Sequence, residues 1–198
     1  VFEGPVAERG GVHQPEGSFN PSTGQFVAPR QLPVYQRQHF PETVLGSNAP
    51  KAETAGTTVF EDESIRLWTL DKEVLIASIK TKMHAIGGGV IEGLLKAQAL
   101  AAESYHGLVV WSHDEMFSAG ADLQSMMPAF MMGGATAIEG AEAELQKAML
   151  QLRYSNVPVV SAIRGLALGG GCELAVFSSN RVVAMESYIG LVEVGVGL

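Results

Sequence analysis

The segment Leu166-Ala167-Leu168-Gly169-Gly170-Gly171-Cys172-Glu173-Leu174-Ala175 gathers residue types that can do chemistry. Three glycines after a strand and a turn bring backbone N–H groups to the mouth of a helix. There they have no intrahelical partner and point outward, toward any anion. Glu173 follows within the first turn. A solvated carboxylate at that place would only complement the helix dipole, a role that fits less well between Cys172 and Leu174-Ala175. A second segment, Phe117-Ser118-Ala119-Gly120-Ala121-Asp122-Leu123, follows a strand. Its small residues let a ligand approach the backbone, and Asp122 is suited to cap the next helix. A plain β–α turn reads the same residues equally well.

A third cluster, Gly87-Gly88-Gly89, also opens a helix after a strand and invites a dinucleotide-binding reading, with Asp114 as the ribose acid. The spacing argues against it. With Gly87 and Gly89 as the first two glycines, the third belongs at Glu92, and Gly93 comes one residue late. We read the cluster as a loose helix start. There is no Walker-type Gly-Lys-Ser/Thr. The five histidines (His13, His39, His84, His106, His113) have no ligand spacing, so no metal site is expected. Cys172 reads as a buried packing residue, since no base stands near it in sequence. Glu139, Glu142 and Glu144 read as the solvated face of a helix. Met126, Met127, Met131 and Met132 with Phe130 fit either an adaptable acyl pocket or core packing.

These segments must be held by ordinary elements. The chain has 198 residues, 46% apolar and 17% charged, enough for one domain plus an arm. Its net charge of −8 argues against nucleic acid as the main partner. No apolar run reaches the ~18 residues of a membrane span, and Val1–Pro5 lacks the blocks of a signal peptide. A single cysteine fits a reducing compartment, so a cytoplasmic protein is expected. Seven of the nine prolines lie in residues 1–57, which show no useful apolar period. Within that stretch Phe19–Gly24 reads as a turn between exposed aromatics, and Val44–Thr57 reads as a linker. Phe19, Phe26, Tyr35 and Phe40 are costly to leave in water, so the arm is expected to pack on something.

From residue 58 the pattern is α/β. Strands are expected at Val59-Phe60, Ile65–Leu70, Val74–Ile79, Gly107–Ser112, Val159–Ile163 and Arg181–Met185. Helices are expected at 88–104, Ala137–Tyr154 and Gly169–Phe177.

Phe117–Leu123, followed about fifty residues later by Gly165–Ala175, resembles the enoyl-CoA hydratase/isomerase (crotonase) superfamily. Gly190-Leu191-Val192-Glu193-Val194-Gly195-Val196-Gly197-Leu198 is a further match. It places Glu193 twenty residues after Glu173, the family interval between catalytic carboxylates. Lys82-Met83-His84-Ala85 sits where the family carries Lys/Ala-Leu/Met-Asn-Ala at the CoA site. His84 departs from that Asn, and Gln124 stands where many relatives carry Lys. The similarity runs from about residue 58 to 198. Ser22-Thr23-Gly24-Gln25-Phe26-Val27, then a strand pair, then Lys82-Met83 is also similar to bacterial fatty-acid oxidation proteins, in which a 3-hydroxyacyl-CoA dehydrogenase portion precedes the hydratase portion.

The resemblance implies a crotonase-like ββα spiral, truncated at its C-terminal part and preceded by an extended irregular arm. Residues 1–57 would be an interdomain connector and 58–198 the N-terminal core of the domain, with both chain ends read as cut ends. It implies hydration of 2-enoyl-CoA in fatty-acid β-oxidation, with the N–H groups of Ala121 and Gly170 as an oxyanion hole. Glu173 and Glu193 would hold the water between them, and Glu193 would supply the C2 proton. Lys82, Met83, Ala85, Ala119, Gly120, Asp122, Leu123 and Gly169 would border the substrate. No separate cofactor is implied, because CoA belongs to the substrate. The implied partners are an acyl-CoA thioester, other copies in a trimer-based assembly, and an upstream dehydrogenase region. Relatives continue past the Leu198 position, so weak or no catalysis is expected unless the remainder is supplied. Two other readings stay open: double-bond isomerisation of an acyl-CoA, and a non-catalytic fragment that binds acyl-CoA.

Overall fold

A computed structural model describes residues 4–14, 17–28, 32–33, 55–112 and 116–196. The chain forms two compact units, Val1–Ala55 and Gly56–Leu198. In the first, a short helix α1 (Pro5–Glu8) precedes strands β1 (His13–Gln14), β2 (Gly17–Asn20) and β3 (Gln25–Val27), paired in order as an antiparallel sheet. The turn expected at Phe19–Gly24 is present. The Asn20 carboxamide oxygen accepts from the Ser22 N–H at 2.9 Å, and its carbonyl accepts from the Gly24 N–H at 2.9 Å. Phe19 and Phe26 meet edge to face across the hairpin, 5.5 Å apart. The sequence pattern did not disclose the strands on either side, which are only three or four residues long. Tyr35, Phe40 and most of the expected linker lie outside the described residues.

The second unit is built on a six-stranded sheet. Strands β4 (Thr57–Glu61), β5 (Ile65–Thr69) and β6 (Val74–Ile79) form an antiparallel meander. Strands β7 (Gly107–Trp111), β9 (Val159–Ile163) and β11 (Asn180–Val183) extend it in parallel, giving the order β11-β9-β7-β6-β5-β4. The meander's two tight turns are set by aspartates. Asp62 Oδ1 accepts from the N–H groups of Ser64 and Ile65, and Asp71 Oδ1 from those of Glu73 and Val74. Helix α2 (Gly88–Ser104) covers the meander with the stripe Val90, Leu94, Ala97 and Ala101. Gly93 belongs to the same face, and a Cβ there would lie 2.5 Å from Ile65 Cγ2. Trp68 is fully buried and meets Trp111 edge to face, 5.8 Å away.

A second sheet carries three short parallel strands in the order β12-β10-β8: β8 (Met116–Ser118), β10 (Leu166–Leu168) and β12 (Tyr188–Gly190). Being parallel, they end at one edge of the sheet. The chain leaves that edge as the loop Ala119–Asp122, as helix α4 (Gly170–Phe177), and as the turn into α5 (Glu193–Val196). The carboxyl ends of parallel strands are where α/β sheets present a ligand site.

Two expectations are corrected. The helix expected at Ala137–Tyr154 is the second part of a longer one, α3 (Leu123–Arg153), interrupted at Gly134 (φ 57, ψ −145). Its first part exists because Asp122 caps it, its carboxylate accepting from the Ser125 N–H at 3.2 Å. Strand β11 stops at Val183 rather than Met185, which is fully exposed.

Candidate active site

The loop after β8 lies against the segment Met83–Ile86 along a ladder of hydrogen bonds. The Ala119 N–H donates to the Met83 carbonyl (3.1 Å), the Ile86 N–H to the Gly120 carbonyl (2.7 Å), and the Asp122 N–H to the Ile86 carbonyl (3.0 Å). The Gly120 N–H donates to Ser118 Oγ at 3.1 Å, and the Leu123 N–H to the Ala121 carbonyl at 2.9 Å. Of these successive N–H groups, that of Ala121 alone has no acceptor among the described residues.

The second donor comes from α4. Its N-cap Gly169 is left-handed (φ 50), with its N–H on the Gly190 carbonyl at 3.0 Å, which ties β10 to β12. Gly170 is the first helical residue, and its N–H likewise has no acceptor among the described residues. The two loops meet in backbone contact. Gly120 has φ 100, and a Cβ on it would fall 2.7 Å from the Leu168 carbonyl oxygen and 3.2 Å from the Gly170 nitrogen. A Cβ on Gly170 would lie 3.4 Å from the Ala121 nitrogen. The N–H groups of Ala121 and Gly170 therefore sit side by side at the head of a helix.

Two carboxylates border the same glycines. A Cβ on Gly169 would be 3.1 Å from Glu193 Oε1, and one on Gly170 would be 3.8 Å from Glu173 Oε2. Both glutamates are half-buried. Burial is the main reason the Glu173 carboxyl sits above its ordinary range, and the charges of Glu142 and then Glu193 push it the same way. The Cys172 thiol is also raised, first by burial and then by Glu173 and Glu193. Paired donors beside two carboxylates in unlike surroundings can hold an oxyanion and divide the handling of a proton between them.

Glu173 carries a stability consequence. The folded protein holds its proton more tightly than the unfolded chain, so its contribution favours folding at low pH and is lost as pH rises through the raised value. Glu173→Gln should therefore melt at a higher temperature than the parent at neutral pH. The gap should close below about pH 4, where an unfolded-chain carboxylate is protonated. Equal melting temperatures at neutral pH would contradict this.

The structure brings Ala119, Gly120, Ala121, Asp122, Leu123, Gly169, Gly170, Glu173 and Glu193 to one edge. Lys82, Met83 and Ala85 lie on the adjoining segment, a 3₁₀ turn at Lys82–His84 in which Lys82 is exposed and Met83 is 55% exposed. Met127, Met131 and Met132 are exposed, which rules out core packing for them, and Met126 and Phe130 are half-buried. Glu142 is exposed as expected, yet its charge reaches Glu173. The sequence reading missed that influence, and no local pattern announces it. Among the described residues no cluster of His, Cys, Asp and Glu could hold a metal, and no helix is long and apolar enough to cross a membrane.

A mixed α/β fold with backbone donors and paired carboxylates at one sheet edge defines the class. The family model described as enoyl-CoA hydratase/isomerase matches residues 63–198, and the chain belongs to that family. Among relatives, the chain is 38% identical over 140 residues to a protein of Rickettsia felis named "Putative fatty acid oxidation complex trifunctional enzyme", covering 71% of this chain and 19% of that one. It is 39% identical over 93 residues to a crotonyl-CoA hydratase of Syntrophomonas wolfei, covering 46% of this chain and 34% of that one. Among solved structures, an enoyl-CoA hydratase/carnithine racemase from Magnetospirillum magneticum superposes with a TM-score of 0.62 at 22% identity, over 70% of this chain and 52% of the other. An enoyl-CoA hydratase from Thermoplasma volcanium gives 0.62 at 22%, over 71% and 56%. At such identity the likeness is one of fold, the crotonase fold. The chain thus spans about a fifth of the Rickettsia relative and about half of these solved chains.

Proposed function

We propose that this chain carries the enoyl-CoA hydratase chemistry of a fatty-acid β-oxidation enzyme. The observation that carries the reading is the meeting of four groups at one edge: the N–H groups of Ala121 and Gly170, without an acceptor among the described residues, with Glu173 and Glu193 against Gly169–Gly170. Hydration adds the oxygen of water to C3 of a 2-enoyl thioester and a proton to C2. Charge builds on the thioester oxygen in between, as an enolate. Two fixed N–H donors meet that oxygen, and the α4 dipole adds to them. Glu173 and Glu193 hold the water between them. One of the two carboxyls takes a proton from the water as its oxygen attacks, and Glu193 delivers one to C2. Two carboxyls favour hydration over isomerisation, which needs only one group to carry a proton between carbons. The Lys82–Ala85 segment borders the CoA portion, and no further cofactor enters.

A Bacillus subtilis relative named "Probable 3-hydroxyacyl-CoA dehydrogenase", 31% identical over 146 residues, supports a dehydrogenase region in the intact protein. The exposed apolar side chains Val182, Tyr188 and Leu191 support self-association. The single cysteine fits work in the cytoplasm. Carried within a full-length hydratase domain and incubated with crotonyl-CoA, the chain should consume the conjugated enoyl absorbance and yield 3-hydroxybutyryl-CoA. Turnover of a 3-enoyl-CoA without hydration would favour isomerisation. Binding of acetoacetyl-CoA without any turnover would favour the non-catalytic reading.

A further inference from the structure

We infer that His84 is a positioning residue for the oxyanion-binding loop, joining the Lys82–Ile86 segment to Met116–Asp122 so that the Ala121 N–H keeps its direction. The inference rests on the hydratase reading. His84 is only 6% exposed. Its Nδ1 lies 2.7 Å from the Met116 carbonyl oxygen and 2.9 Å from Ser112 Oγ. A carbonyl only accepts, so that geometry assigns the proton to Nδ1. Ser112 Oγ also lies 3.4 Å from Nε2. The residue's own carbonyl accepts from Ser118 Oγ at 2.7 Å. Ser118, fully buried, in turn accepts from the Gly120 N–H at 3.1 Å.

A continuous relay therefore runs from the imidazole to the residue before Ala121. The backbone that carries it is unusual. Met83 and His84 are both left-handed (φ 57 and 49) without being glycine. Such a conformation persists only where surrounding contacts hold it. In it the carbonyls of both residues face the loop, one taking the Ala119 N–H and the other the Ser118 hydroxyl. The ring bonds to Met116 and Ser112 pin that turn from the other side. A buried histidine that served packing alone would not need both ends of its bonding to land on the strand and loop that carry one oxyanion donor.

Three variants, each carried within a full-length hydratase domain, test this: His84→Ala, His84→Asn and Ser118→Ala. Misplacing a group by about 1 Å can cost ~10²-fold. His84→Ala should lower kcat for crotonyl-CoA hydration ~10–100-fold with KM changed less than about threefold, because the lost alignment matters when charge develops. Bound acetoacetyl-CoA should show less enolate absorbance in this variant. The Asn amide nitrogen overlays Nδ1, so His84→Asn should recover most of kcat. Ser118→Ala removes one oxygen from the relay and should resemble His84→Ala, and it decides the matter if His84→Ala fails to fold. A kcat for either alanine variant within twofold of the parent would overturn the inference. So would a change in KM alone, or an asparagine variant as impaired as the alanine one. If the parent, within the full-length domain, does not hydrate crotonyl-CoA, the hydratase reading fails separately. Amide exchange then judges the positioning role: Ala119, Gly120 and Asp122 should exchange about tenfold faster in His84→Ala, and unchanged exchange would overturn it.

Discussion

Replacing Glu193 by Gln should cut crotonyl-CoA hydration by ~10²–10⁴-fold relative to the unsubstituted chain, the usual worth of a general acid or base. Glutamine keeps the length and shape of the side chain and can still hydrogen-bond to water, but it has no proton to give C2. Glu193 lies beside the Gly169 backbone, where a Cβ would meet its Oε1 at 3.1 Å. An amide should fit there without disturbing the helix head. The melting temperature and the binding of acetoacetyl-CoA should therefore change little while turnover falls. Steady-state kinetics on the purified variant is the check. A rate within a few-fold of the parent would remove Glu193 from the chemistry.

Gly120→Ala should be nearly as damaging, for a different reason. The residue has φ 100, where an L side chain is strained, and its Cβ would fall 2.7 Å from the Leu168 carbonyl oxygen. That oxygen and the Gly170 nitrogen, 3.2 Å from the same Cβ, are both backbone atoms, so backbone must move. The loop Ala119–Asp122 and the head of α4 would separate, and the N–H groups of Ala121 and Gly170 would no longer converge. Losing one oxyanion donor costs ~10²–10³-fold in kcat, and misaligning the pair should cost at least as much. The six-stranded sheet does not depend on this contact, so circular dichroism should still report a folded chain. Retained turnover with Gly120→Ala would mean that the close approach of the loops does not matter to catalysis.

Much of this arrangement was legible in the residues. Helix α2 follows from the 3.6-residue apolar period at Val90, Leu94, Ala97 and Ala101, and strands β5, β6 and β7 from short apolar runs bounded by turns at Ile65–Thr69, Val74–Ile79 and Gly107–Trp111. Asp122 announced a helix start, although the apolar pattern alone placed the helix later, after Gly134. The site residues stood out by type and spacing. Their meeting did not, because it depends on the sheet β12-β10-β8, whose strands are three residues each. Strands that short carry too few side chains to show a period. The left-handed pair Met83-His84 was hidden for a different reason: neither residue is a glycine that would flag positive φ, and tertiary contacts hold it there. The influence of Glu142 on Glu173 comes from packing between elements far apart in sequence.

The most direct measurement is hydration of crotonyl-CoA in oxygen-18-labelled heavy water by this chain carried within a full-length hydratase domain, with mass spectrometry of the product and the Glu173→Gln/Glu193→Gln double variant beside it. The account predicts labelled oxygen at C3 and deuterium at C2 from the parent chain and none from the variant. Unlabelled, unchanged crotonyl-CoA from the parent, or equal labelling by the double variant, would contradict it.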